Sequence, residues 1–177
     1  MVIRDWSSDV CSSDLLKISK RRITISTCGI VPGIIELADK GPDVRLAVSL
    51  TVGENHVRDS LMPVNKTWNL ETLKQALLHY QSKTGERITL EIPLLGKINT
   101  SDQAANQLAQ WTNGLSVQIN VIAWNTVPEL PYSAPTRREI DNFMTILKSR
   151  NINVVQRAKR GSKIAGACGQ LGNIDQI

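Results

Sequence analysis

The chain has 177 residues, 41% hydrophobic and 21% charged, a balance that fits one globular domain and excludes wholesale disorder. No apolar run reaches the length of a membrane span, and no secretory signal is visible at the N-terminus. Three cysteines (Cys11, Cys28 and Cys168) are too few and too widely spaced for a disulfide framework or a zinc site, and free thiols without a signal point to a reducing cytoplasm. The formal net charge of +5 is uneven. Between Arg137 and Lys163 stand Arg137, Arg138, Lys148, Arg150, Arg157, Lys159, Arg160 and Lys163, opposed only by Glu139 and Asp141. That run fits either a nucleic-acid footprint or a solvated helix face with a basic tail.

Met1 to Asp14 has no amphipathic period and repeats Ser-Ser-Asp around Val10-Cys11. It resembles the conceptual translation of a sequencing adapter, so residues 1–14 are read as a non-native, disordered tail and 15–177 as the folding part. Ile23 to Ser26 then reads as a short strand, Gly29 to Gly33 as a turn and Ile34 to Ala38 as a short helix. Val44 to Leu50 is a second strand. A helix follows from Asn69, which can cap it, to Lys83; Leu70, Leu73, Leu77 and Leu78 form its apolar face and Gly85 ends it. Ile88 to Leu95 is a third strand. Ser101 caps a helix carrying Ala104, Ala105, Leu108 and Trp111, which ends at Asn113-Gly114. Val117 to Ala123 is a fourth strand. A proline-rich loop, Pro128 to Pro135, leads to a helix with a Thr136/Glu139 capping box and the apolar face Ile140, Phe143, Met144 and Leu147. Ile152 to Gln156 is a fifth strand, and Gly161 to Leu171 closes the chain.

Strand–helix alternation of this kind predicts an α/β fold with a parallel sheet. Five strands in so short a chain do not close an eight-stranded barrel, which leaves an open doubly wound sheet or part of a barrel. As part of a barrel, the first strand would present an unpaired edge that calls for a partner upstream. Ligands of parallel α/β folds bind at the carboxyl ends of the strands. Three polar groups fall there: Ser26-Thr27-Cys28-Gly29, Ser49-Leu50-Thr51 and Trp124-Asn125. Hydroxyls, a carboxamide and backbone amides on one rim suit a ribose and an amino-acid moiety, while local loop capping explains each of them alone. Glu91 lies within the third strand, where a salt bridge or a ligand contact would account for it. His56 and His79 have no partner motif, and neither a phosphate loop nor a Ser-His-Asp set is present. Cys168, in Gly166-Ala167-Cys168-Gly169-Gln170-Leu171, is either a buried cysteine in a C-terminal turn or a thiol that a large partner can approach closely.

Several segments carry a resemblance. Arg21-Arg22-Ile23-Thr24-Ile25-Ser26-Thr27-Cys28-Gly29-Ile30-Val31-Pro32, Ala47-Val48-Ser49-Leu50, Arg58-Asp59 and Met62-Pro63-Val64-Asn65-Lys66 are the first of them. Ile119-Asn120-Val121-Ile122-Ala123-Trp124-Asn125 and Ala167-Cys168-Gly169-Gln170-Leu171 continue in register. Together they resemble the C-terminal half of the RlmN family of radical SAM, dual-specificity RNA methyltransferases, from about Leu16 to Leu171. The resemblance implies the C-terminal portion of a partial, six-stranded, TIM-like barrel with parallel strands. It also implies S-adenosylmethionine and a 4Fe-4S cluster as cofactors, with 23S rRNA and tRNA methylated at adenine C2. The C2 carbon is a poor nucleophile, so the family first methylates a cysteine and then activates that methyl group by radical chemistry. By this resemblance Cys168 carries the methyl group, and Ser26, Ser49, Leu50, Thr51 and Asn125 bind cofactor. A cytoplasmic protein, monomeric at full length and without a membrane partner, is implied as well.

The chain also departs from the family pattern. The Cys-x-x-x-Cys-x-x-Cys motif is absent, so the cluster ligands are expected upstream and no metal ligand is assigned here. Thr51 stands where the family usually has histidine, and Ile164-Ala165-Gly166-Ala167 replaces a pattern that usually includes aspartate. The isolated chain is expected to bind cofactor poorly and not to turn over. A relative that methylates C8 and confers resistance, and a cluster-free relative that binds RNA through the Arg137–Lys163 surface, are the alternatives.

Overall fold

A computed structural model describes residues 22–126 and 130–157. The predictions for residues 1–14, for the Gly161–Leu171 segment and for Cys168 lie outside these residues. Five strands form one sheet: β1 (Thr24–Thr27), β2 (Arg45–Ser49), β3 (Ile88–Leu94), β4 (Val117–Ala123) and β5 (Asn153–Gln156). Every neighbouring pair is parallel, and the strand order follows the sequence. A doubly wound sheet would reverse that order partway. With no reversal, crossovers of one hand place every helix on the same face, as in a barrel. This settles the choice the sequence leaves open.

The crossover helices are α1 (Val31–Lys40), α2 (Asn55–Leu61), α3 (Leu70–Thr84), α4 (Asp102–Trp111) and α5 (Arg137–Ser149), with a 3-10 turn at Pro63–Lys66 after α2. Asn69 caps α3 by accepting from the Thr72 N–H at 2.9 Å, and Gly85 ends it at φ 67°. Ser101 caps α4, and Thr136 with Glu139 completes the capping box of α5. Two helical segments differ from the sequence reading. α1 starts at Val31 rather than Ile34: Pro32 suits a first helical turn, and Val31, Ile34 and Leu37 make one buried stripe. α2 is not anticipated at all, because the residue it buries is Arg58.

Alternation along the strands separates two faces. Leu46, Val48, Leu90, Ile92, Leu94, Ile119, Val121 and Val154 join one hydrophobic core with Ile34, Leu73, Leu77, Phe143 and Leu147 of the helices. On the other face the register aligns Ser26, Ala47, Thr89, Gln118 and Asn153 in one layer and Ser49, Glu91, Asn120 and Val155 in the next. Among the described residues no helix covers this second face. Parallel sheets are ordinarily buried on both sides. A polar, open face is what the inside of an incomplete barrel looks like.

Candidate functional site at the carboxyl ends of the strands

Ser26 and Ser49 lie on the open face as diagonal neighbours on β1 and β2. Neither hydroxyl has a hydrogen-bond partner among the described residues; Ser26 is exposed and Ser49 half-buried. Glu91 is in register with Ser49 and with Asn120. Asn120 Nδ2 donates to Glu91 Oε1 at 3.0 Å, Gln118 Nε2 donates to Asn120 Oδ1 at 3.2 Å, and Arg87 Nη2 donates to Gln118 Oε1 at 2.8 Å. Among the described residues Glu91 Oε2 is buried with no hydrogen bond, and Arg157 Nη1 lies 3.8 Å from it. The Trp124 indole N–H is the other buried side-chain polar atom without a partner among the described residues. Its ring meets Tyr132 edge-on at 6.1 Å. Two such orphans cost stability unless something supplies their partners.

The remaining predicted residues sort unevenly. The Leu50 side chain is buried in the core on the helix-covered side. Its N–H donates to Glu91 O at 3.1 Å, and its carbonyl accepts from Arg58 Nε and from the Val52 N–H. Thr51 has φ 71°, a left-handed conformation that strains a β-branched residue. Its hydroxyl donates to Met62 Sδ at 3.1 Å, and its carbonyl accepts from Asn99 Nδ2 at 3.0 Å. Asn125 is half-buried, two residues past the end of β4. The structure therefore places Ser26 and Ser49 on the open face near the ends of β1 and β2, the buried Thr51 two residues past β2, and Asn125 two residues past β4.

Two buried side chains that sequence reasoning gave no role hold this rim. Arg58 is fully buried and donates from Nε to Leu50 O at 3.0 Å, from Nη1 to Asn65 Oδ1 at 2.8 Å and from Nη2 to Cys28 O at 2.9 Å. Burial pushes its pKa down, while Cys28 and Asp59 nearby push it up. Asn99 links Thr51 O to Pro93 O through one amide nitrogen, while its Oδ1 accepts from the Leu95 N–H. The signal for Arg58 was its place in the Arg58-Asp59 segment; Asn99 carried none.

Elsewhere, a groove of about 1020 Å³ opens where the N-termini of α4 and α5 meet. Lys97, Arg137 and Arg138 line it, and so do Asp102, Glu139 and Asp141, so its charges balance. Glu139 is held down to a pKa of about 2, first by the Thr100 hydroxyl and then by the Thr136 and Lys97 groups that donate to it. Of the basic run, Arg137, Arg138, Lys148, Arg150 and Arg157 lie among the described residues. Arg137 is the first residue of the 13-residue α5 and Arg150 follows its last, about 20 Å apart along the helix. Arg137 pairs with Asp141, and Arg150 donates to Asn106. His79, read as unpaired, meets Asp39 at 2.8 Å on the exposed side of the helices. His56 is exposed, with its backbone N–H on Glu54. Among the described residues there is no cluster of three or more His, Cys, Asp or Glu able to hold a metal ion, and no helix long and apolar enough to cross a membrane.

No family model matches the chain. Curated relatives do. It is 49% identical over 156 residues to the "Probable dual-specificity RNA methyltransferase RlmN" of Treponema denticola, covering 88% of this chain and 45% of that protein. It is 40% identical over 167 residues to the protein of the same name from Staphylococcus aureus, covering 94% of this chain and 46% of that one. The chain thus spans a little under half the length of the curated relatives it matches. The crystal structure of a radical SAM methyltransferase from Sphaerobacter thermophilus superposes with a TM-score of 0.85 at 39% identity, over 88% of this chain and 46% of that one. A domain of pyruvate-formate lyase-activating enzyme from Bacteroides vulgatus shares the fold alone, with a TM-score of 0.59 at 12% identity, over 76% of this chain and 80% of that one. These likenesses show the family: the chain belongs to the RlmN family of radical SAM methyltransferases and represents its C-terminal part.

Proposed function

We propose that this chain is the cofactor-rim and cysteine-bearing part of an enzyme that methylates adenine C2 in 23S rRNA and tRNA through a methylated Cys168. The observation that carries the proposal is the open polar face, whose strand-end rim carries Ser26 and Ser49 with Thr51 just past β2. A nucleoside with an amino-acid tail needs hydroxyl, carboxamide and backbone partners at a strand-end rim. Among the described residues the Ser26 and Ser49 hydroxyls have no hydrogen-bond partner, Glu91 Oε2 on the same face has none, and the Trp124 N–H just past β4 has none, so the residues present fit S-adenosylmethionine. When bound, that molecule supplies the methyl group. In this chain Ser26 and Ser49 would hold and orient it, Asn125 would close on it further along the rim, and the Thr51 backbone would fix its depth.

The iron–sulfur cluster is a different matter. The whole chain has three cysteines, and the described residues offer no cluster-binding group, so the residues present do not fit the cluster. Residues 15–177 form the C-terminal part of the methyltransferase domain in this reading, and the working protein is cytoplasmic.

The experiment is a fusion. Joining residues 15–177 in frame behind the N-terminal part of the Treponema denticola relative should restore methylation in cells lacking the enzyme. Mass spectrometry of the RNA should find 2-methyladenosine, and Cys168→Ala should abolish it. An 8-methyladenosine product would overturn the C2 assignment. Methylation that survives Cys168→Ala would overturn the role of the cysteine.

A further inference from the structure

The ladder between β1 and β2 ends at the pair Thr27 and Val48. Beyond it the two segments would be free to part, yet both belong to the rim. A single guanidinium ties them: Nη2 takes Cys28 O at 2.9 Å and lies 3.5 Å from Ser49 O, while Nε takes Leu50 O at 3.0 Å. Its third direction is fixed from behind. Nη1 donates to Asn65 Oδ1 at 2.8 Å, and Asn65 Nδ2 is itself held by Asp59 Oδ1 at 2.7 Å and Asn55 Oδ1 at 3.1 Å. Among the described residues no carboxylate hydrogen-bonds the guanidinium; Asp59 bonds Asn65 and acts on Arg58 through its nearby charge. Gly29 closes the last side, since a Cβ there would lie 3.3 Å from Nη2, and its φ of 104° already favours glycine.

A cation buried without a directly bonded anion is expensive, and an apolar side chain would fill the same space at lower cost. What arginine adds is a rigid planar fork that addresses acceptors in fixed directions, which neither lysine nor an apolar residue can do. We infer that Arg58 is the positioning residue of the cofactor rim: it holds the Cys28 and Ser49–Leu50 peptides at the separation in which Ser26, Ser49 and Thr51 meet the ligand. The inference rests on the cofactor reading above and adds to it a residue that touches no ligand itself.

The test uses the full chain with Arg58→Lys, Arg58→Met and Asn65→Ala. NMR titration with S-adenosylhomocysteine gives the affinity of each folded variant. Hydrogen exchange gives the protection of rim amides (Gly29, Leu50, Val52) and of core amides (Leu90, Ile119, Val121). Arg58→Lys and Arg58→Met should weaken binding about tenfold, the loss of roughly one well-placed interaction, with core protection unchanged and rim exchange accelerated by a similar factor. Lysine should not rescue, because an ammonium cannot span both peptides. Asn65→Ala keeps the charge and loosens the fork, so it should fall between wild type and Arg58→Met; it also decides the matter if the arginine variants fail to fold. Affinity within about twofold of wild type in the folded variants would overturn the inference, as would losses that track the unfolded fraction. If the wild-type chain shows no shifts even with S-adenosylhomocysteine in the millimolar range, where the weak binding expected of the isolated chain is still read, the cofactor reading fails. Rim exchange then judges Arg58 alone, and unchanged exchange at Leu50 and Val52 would overturn it.

Discussion

Leu90 and Glu91 are consecutive residues of β3 that answer to different demands. Leu90 faces the helices and is fully buried in a core of leucine, isoleucine and valine. Glu91 faces the open side, in a row of polar residues that runs from Ser49 to Asn120. The first face is what the fold requires of any singly wound α/β layer. The second is not explained by folding, since among the described residues no helix covers this polar face and Glu91 Oε2 on it is buried without a hydrogen-bond partner. Where folding stops accounting for residue choice, ligand and partner recognition begins. In this chain that boundary falls between neighbouring residues.

The comparison can be broken most directly at that pair. Leu90→Ala should cost about 2–5 kcal/mol in urea unfolding, whereas Glu91→Gln should stay within about 1 kcal/mol. If the two costs are alike, the open face is structural and the division fails. A smaller effect is expected at Gly53, where a Cβ would sit 2.6 Å from the Leu108 Cα; Gly53→Ala should cost about 1–3 kcal/mol because a backbone must move. Thr136→Ala removes one half of a capping box and should cost about 1 kcal/mol in thermal unfolding. Glu139, the other half, has its pKa lowered from the ordinary 4.5 to about 2. A lowered carboxyl pKa stabilises the fold above its ordinary value, and the benefit is lost as pH falls from 4.5 towards 2. Melting curves across that window should therefore converge for wild type and Glu139→Gln at the acid end. Smallest of all, His79→Gln breaks an exposed pair with Asp39 and should change stability by less than about 1 kcal/mol.

Much of the helix-covered face was legible in the sequence, because its signals are local. Continuous or alternating apolar runs mark β2, β3 and β4, and Asn69, Ser101 and Thr136 mark three helix starts within a residue. The segment Asn55–Leu61 escaped because helix detection depends on an apolar stripe, and here the inward residue is an arginine. The arginine's partners, Cys28 and Leu50, come from two other segments, so no spacing rule connects them. Of the candidate site, the strand-end placement of Ser26, Ser49 and Asn125 was readable from strand boundaries. The core placement of Leu50 and the left-handed Thr51 backbone required the fold.

The most direct test of the central claim, that the open face and its rim are the cofactor side of this chain, is an NMR titration of the protein with S-adenosylhomocysteine. Perturbed amides at Ser26, Ser49, Thr51 and Asn125, together with the Trp124 indole N–H, are the predicted result. Perturbations confined to the groove between α4 and α5, or none at concentrations far above those of the protein, would contradict it.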